Sequence, residues 1–300
     1  MISKLSQWLW HLYGWGHDHR RLLLALFIVS RLTVLVPRIT LLVGSSKHFD
    51  FRHHFELAQM SAQGLYPYVH YWVEYPPLFP WLAVAAYRLG ALLTSGPTVE
   101  FVFYLLIGGL MVAAETGTLV LISLLAKEVG GREAAWRSLL LYALLFVPTY
   151  LWQGWFDTLP TFLFLLSLSL LIKQRERLSA MTAGLGIAAK VFPALLVPLA
   201  VCVLPGLRRK AMYALIAAAV VAAIVLPHAL TGSEMGWVSL RAMLSRPSWE
   251  TIWAVLEGYY GPGIVAGFAE RLDPATTTAG IHPSTLPWGP ITAAFAALYL

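Results

Sequence analysis

Apolar residues in this chain form long uninterrupted runs, separated by short stretches where charge, proline and glycine gather. The runs cover Leu22–Val43, Pro77–Leu93, Val99–Ala126, Ala134–Trp152, Phe156–Ile172, Leu178–Ala189, Phe192–Leu204, Ala211–Leu230 and Pro287 to the end. Most approach or exceed the roughly 20 residues that cross a hydrocarbon core as a helix. A backbone in lipid must satisfy its own polar groups, so the runs predict helices rather than open strands. The expected fold is all-α: a polytopic integral membrane protein forming one module over residues 1–300. The opening segment Met1–Arg21 is rich in Trp and His and lacks a small-residue cleavage site, so it reads as an interfacial stretch rather than a signal peptide.

Composition agrees. Hydrophobic residues make up 58% of 300 positions and charged residues 12%, against roughly 25% charge in soluble domains. A single soluble domain is excluded. Cys202 is the only cysteine, which removes intramolecular disulfides and cysteine-based metal sites. The net charge of +6 does not point to nucleic acid, because the basic residues sit in clusters between apolar runs. Those clusters are Lys4, Arg20 and Arg21; Lys127, Arg132 and Arg137; Lys173, Arg175 and Arg177; and Arg208, Arg209 and Lys210.

By the positive-inside rule all four clusters face the cytoplasm, as does the N-terminus. Parity then requires one run between Val43 and Lys127 not to cross. Pro77–Leu93 is that run: it opens on Pro76, Pro77 and Pro80 and carries Arg88, so it is expected to lie at the outer interface or to re-enter. About eight spans remain, with a first outer loop at 44–98 and a second, larger one at 231–286. The short runs flanking Lys190 predict a hairpin with its outward apex at Lys190–Pro193. Leu300 ends the chain inside an apolar run too short to span, so the natural protein is expected to continue.

Carboxylates gather in the outer segments, and candidate chemistry follows them. A helix over about Asp50–Gln63 would place Phe51, Phe55 and Ala58 on one side and Asp50 at the membrane surface. There a carboxylate can take a proton from an acceptor hydroxyl, or simply cap its helix. Asp157 stands at the outer junction of two spans, where an acid needs a task or a partner; capping is again the plain alternative. Lys190 at membrane depth calls for an anionic partner, and a lipid-linked phosphate suits it. Arg246 and Glu250 lie in the second outer loop, where Arg suits phosphate and a solvated pair is the bland reading. Arg31 and Glu115 lie within spans and are expected to pair with other helices. His48, His53, His54 and His70 raise a divalent metal as an alternative. Adjacent His53 and His54 are expected to point apart on a helix, and position 52 is Arg, so no Asp-x-Asp pair exists.

Three stretches carry a resemblance: Asp50 with Gly64-Leu65-Tyr66-Pro67-Tyr68 and Tyr75-Pro76-Pro77-Leu78; Gln153-Gly154-Trp155-Phe156-Asp157; and Gly184-Leu185-Gly186-Ile187-Ala188-Ala189-Lys190-Val191-Phe192-Pro193. In order and spacing they resemble the C superfamily of glycosyltransferases, closest to α-mannosyltransferases such as the first GPI mannosyltransferase and bacterial phosphatidylinositol mannoside enzymes. The resemblance spans roughly Leu22 to Glu250. It implies two juxtamembrane helices and the catalytic acid in the first outer loop. It also implies a polyprenyl-phosphate-sugar donor, a lipid or glycan acceptor among membrane lipids, and inverting transfer of a hexose, mannose by preference, on the non-cytoplasmic face of the cell membrane. Under it Asp50 is the base with Asp157 beside it, while Lys190, Arg246, Arg52, Glu250 and Tyr75 contact substrate. The Arg at position 52 departs from relatives with a second acid there. A transporter or a non-catalytic membrane assembly subunit is the alternative, although no inverted repeat is evident.

Overall fold

The structure is a computed structural model that describes residues 20–43, 50–145, 156–231, 233–244, 251–258, 268–278 and 284–299. Among these residues no strand forms, and the one backbone bridge joins Pro67 to Tyr71. The helices are α1 (Arg20–Leu42), α2 (Asp50–Gln59), α3 (Leu78–Leu93), α4 (Thr98–Leu144), α5 (Thr158–Ile172), α6 (Glu176–Ala189), α7 (Leu196–Val203), α8 (Leu207–Leu230), α9 (Met235–Leu244), α10 (Ile252–Leu256), α11 (Phe268–Arg271) and α12 (Trp288–Tyr299). Two of them, α4 and α8, are long and apolar enough to cross a membrane.

α4 is not one rod. Gly130 leaves helical geometry and Gly131 takes φ 74°, a value that glycine adopts without steric cost. Ser123 Oγ donates to Ala135 O at 3.0 Å, although in a straight helix these residues would stand about 18 Å apart. The chain therefore folds back, and residues 98–129 and 132–144 form two antiparallel arms around a turn that carries Lys127 and Arg132. α1 runs antiparallel to the first arm, with Leu35 pressed against Gly108 and Arg31 Nε 3.2 Å from Glu115 Oε1. That register brings the start of α1 level with Lys127. Arg31 and Glu115 thus find each other across two helices, both nearly fully buried.

A second antiparallel pair, α5 and α6, is keyed by a reciprocal exchange. Ser167 Oγ donates to Ser179 O and Ser179 Oγ to Ser167 O, both at 2.8 Å, with the Tyr213 hydroxyl of α8 3.0 Å from Ser179 Oγ. Buried hydroxyls need such partners, and the exchange leaves neither unsatisfied. Gly184 admits α8 closely: a Cβ there would lie 2.8 Å from Ala217 O and 2.7 Å from Val220 Cβ. The chain turns back after α6 through a 3-10 segment, Phe192–Leu195, into α7. Ala180 and Ala200 then share one buried cluster with Leu171, Leu204 and Tyr213, the hairpin expected around Lys190.

Arg209 of α8 pairs with Glu176 of α6, Nε to Oε2 at 3.1 Å, which joins the basic turns 173–175 and 204–210 at one end. The first arm of α4 and α5 both start beside α2, where Tyr104 stacks on Phe51 and Phe156 meets His54. They run in the same direction, with Phe162 against Gly117, so the Gly130 turn reaches that same end. Call it the basic pole. α3 starts at the opposite pole, where Phe79 packs on His54 and Phe156. It also ends there, where Gly90 abuts Val99.

The opposite pole is built from both loop regions. Trp72 N donates to Arg271 O at 3.1 Å, Val73 N to Ser239 Oγ at 3.0 Å, and Ser233 Oγ to Val69 O at 2.6 Å. Trp72 is buried with Met235, Val238 and Ala242. Residues 65–75 therefore join residues 233–244 and 268–276 in one cap over the helix ends.

Candidate active site

The site starts where α5 begins and α6 ends. Asp157 occupies the N-cap position of α5, but its side chain makes no capping hydrogen bond. The Asp157 carboxylate instead accepts from Lys190 Nζ. Lys190 is where α6 stops: its backbone is extended and its N–H closes the last turn on Gly186 O. The hairpin that pairs Ser167 with Ser179 thus delivers Asp157 and Lys190 to each other at its open end. The partner expected of Lys190 is supplied within the chain, and capping is not what the Asp157 carboxylate does. Both side chains keep over a third of their surface exposed, so the pair is open to a ligand and the ammonium has protons left to donate.

Behind the pair lies an aromatic wall. Lys190 Nζ sits 5.3 Å over the ring of Phe156, which stacks on Phe79 at 4.2 Å and meets Tyr75 edge-on at 5.2 Å. His54 fills the box between them, 4.7 Å from Phe79 and 5.4 Å from both Phe156 and Tyr75. Burial, then the neighbouring His53, holds its pKa well below the usual 6.5. His54 is therefore neutral at ordinary pH.

α2 aims at the same place. Asp50 is in its first turn and Phe51, Phe55 and Ala58 are buried as expected. Asp50, His53 and His54 are spaced i, i+3 and i+4, so they share a face, and His54 on that face touches Phe156 next to Asp157. Asp50 therefore shares with His54 the face of α2 that meets the aromatic wall. The expectation that His53 and His54 point apart is corrected: their rings meet edge to face at 5.3 Å, because both turn toward Tyr75. Among the described residues no group of three or more His, Cys, Asp or Glu could hold a metal. His48 lies outside those residues.

Arg52 faces elsewhere. Its Nε is 2.6 Å from Glu56 and its Nη1 2.9 Å from Glu100, whose carboxylate also accepts from Tyr104. The Glu100 contact ties α2 to α4 through Nη1, while Nε stays with Glu56 on α2. Tyr75 is in the wall as described, and its carbonyl accepts from the Tyr68 hydroxyl. Arg246 and Glu250 lie outside the described residues, as does Gln153-Gly154-Trp155.

Glu74 went unnoticed as a site residue in the sequence. Its carboxylate is 96% buried and takes a two-pronged contact from Arg271, with Nη2 to Oε1 at 2.9 Å. Arg271 also lies 4.5 Å over the Trp72 ring, and His53 Nε2 is 3.9 Å from Glu74. Burial alone would raise the Glu74 pKa, but Arg271 outweighs it and brings it to about 2. Glu74 thus connects the second loop region to the helix that carries Asp50. No pattern marked Arg271; only Glu74 beside the Tyr75-Pro76-Pro77 motif offered a signal.

No protein-family model, curated protein or solved structure matches the chain.

Proposed function

We propose that this protein is a polytopic membrane glycosyltransferase with its N-terminus and basic pole in the cytoplasm and its site at the opposite, outer pole. It would move a hexose, mannose by preference, from a polyprenyl-phosphate donor to a lipid or glycan acceptor. The observation that carries the reading is the Asp157–Lys190 pair, partly exposed at the open end of α5–α6, beside the aromatic wall that the Asp50 face of α2 meets. Supporting it, α3 begins and ends at the loop pole, and the basic turns gather at the other, as positive-inside sorting requires.

The chemistry is a single displacement. The acceptor oxygen bonds to the anomeric carbon while the bond from that carbon to the phosphate oxygen breaks. Asp50 takes the acceptor proton, and the departing electron pair stays on the lipid phosphate, where Lys190 offsets the charge. A β-linked donor gives an α-linked product. Asp157 holds the ammonium toward the site.

The buried Arg31–Glu115 pair favours a second reading, transport, since intramembrane ion pairs also mark transport pathways. One experiment separates the two. Purified protein in nanodiscs is given a synthetic polyprenyl-phosphate sugar carrying a radiolabel, with membrane lipid extract as acceptor. Labelled product supports transfer. Its absence across several sugars, with solute uptake into proteoliposomes, replaces transfer by transport.

A further inference from the structure

At the basic pole, the turn joining α5 to α6 and the turn into α8 line two adjoining clefts open to the surface. One, about 260 Å³, is bounded by Arg177, Arg208 and Arg209 over a floor of Met212, Tyr213 and Ile216. The other, about 450 Å³, lies among Gln174, Arg175, Arg177, Leu178 and Arg209. Glu176 lines both, so four arginines surround one carboxylate. That carboxylate is taken by Arg209. Among the described residues, Arg175, Arg177 and Arg208 form no ion pair.

The helices add to this positive field. α6 begins at Glu176 and α8 at Leu207, and their N-cap residues, Arg175 and Gly206, provide no side-chain cap. Unsatisfied N–H groups and the positive ends of two helix dipoles thus meet at the arginines. Cations at that end of a helix are unfavourable unless an anion joins them. Positive-inside sorting accounts for the charge, but not for clefts with an apolar floor.

We propose that this cleft binds the headgroup of an anionic phospholipid from the leaflet at the basic pole, its phosphate held by Arg177 and Arg208. The guanidinium fork matches phosphate geometry, and basic pockets between membrane helices on this side suit such headgroups. An acyl chain would lie along Met212 and Ile216, which are i and i+4 on α8 and lead away from the turn. A free phosphate would answer the arginines and leave that floor uncovered. The proposal rests on the membrane-spanning reading above and is independent of sugar transfer.

The test uses the full chain, taken from nanodiscs of phosphatidylcholine with a rising share of phosphatidylglycerol, with retained lipid counted by native mass spectrometry. The wild type should retain phosphatidylglycerol in preference to phosphatidylcholine. Arg177→Gln with Arg208→Gln should lower that preference roughly tenfold or more, while Lys127→Gln with Arg132→Gln at the neighbouring turn should not. No preference in the wild type overturns the proposal without reference to any variant. So does an undiminished preference in a double glutamine variant that melts like the wild type. Complete displacement of the lipid by millimolar inorganic phosphate overturns the lipid as ligand and leaves a free-anion site. Failure of the sugar-transfer assay changes none of these outcomes.

Discussion

Lys190 meets Asp157 across the open end of a helix pair whose register is set farther down by Ser167 and Ser179. The ion pair is therefore a result of hairpin packing, and either partner can be removed without dismantling the hairpin. Since both side chains are partly exposed, their coupling should be about 0.5–1 kcal/mol. Thermal melts of Lys190→Met, Asp157→Asn and the double variant check this. The double variant should lose less than the two single losses added together. Donor binding should respond more strongly: Lys190→Met should weaken lipid-phosphate-sugar affinity, and Lys190→Arg should restore part of it, because a planar fork does not reproduce a compact ammonium. Wild-type affinity in a folded Lys190→Met protein removes Lys190 from the donor site.

Asp50→Asn keeps shape and hydrogen bonding but removes the base. Turnover should fall by roughly 10² or more with the melt unchanged. Single-turnover measurement of sugar transfer is the check, and unaltered turnover makes Asp50 a helix-end residue only.

Glu74 and Arg271 hold the two loop regions together in a nearly water-free contact. Arg271→Met leaves a buried carboxylate without its cation and should cost about 3–5 kcal/mol. Hydrogen exchange should rise in residues 65–75 and 235–244 together. Glu74→Gln with Arg271→Met should recover much of the loss. Protection lost in only one of the two segments contradicts the contact.

His54 gives the pH response. Its folded pKa is depressed by burial and by His53, while Glu74 raises it and Arg271 lowers it. A depressed value means the folded state binds fewer protons. The stability is thus present above the unfolded value of 6.5 and lost as pH falls below it. The melting temperature should drop as pH falls below 6.5, and His54→Phe, which fits the aromatic box, should flatten that slope. The Glu74 contribution is lost only below its ordinary value of 4.5, toward 2, so the loss between pH 6.5 and 4.5 is not due to Glu74. An equal slope in both proteins assigns the acid response elsewhere.

Topology is tested on single cysteines introduced after Cys202 is replaced. Labels should reach a cysteine at Val69 from outside, and those at Gly131 and Gln174 only after permeabilisation. Outside labelling at Gly131 would mean that α3 crosses, inverting every face after it.

Much of this was legible in the chain. Helix positions followed from run length, the helix at Asp50 from its apolar spacing, and the hairpin at Lys190 from the two short runs that flank it. The limits were equally physical. The runs Val99–Ala126 and Ala134–Trp152 already divided α4 in two, but they did not say which residues between them would make the turn, which falls on Gly130 and Gly131. The choice of Asp157 as partner for Lys190 depends on a register set by serines, which look alike in any apolar run. The convergence of Glu56 and Glu100 on Arg52 was not legible either, because Glu100 stands 48 positions away on another helix. The contact between Glu74 and Arg271 joins residues 197 positions apart, and no local pattern reports a pairing at that distance.

That separation also sets an order of events. The helix hairpins are made of near neighbours in sequence and can form as the chain emerges, whereas contacts across long separations close slowly and late. A nascent chain that has not reached residue 271 already carries Asp50, Asp157 and Lys190, yet holds Glu74 with no cation to neutralise it. The cap therefore cannot close until residue 271 has been made. Until then, burying Glu74 would leave its charge without a cation, so the loop that carries it stays in water.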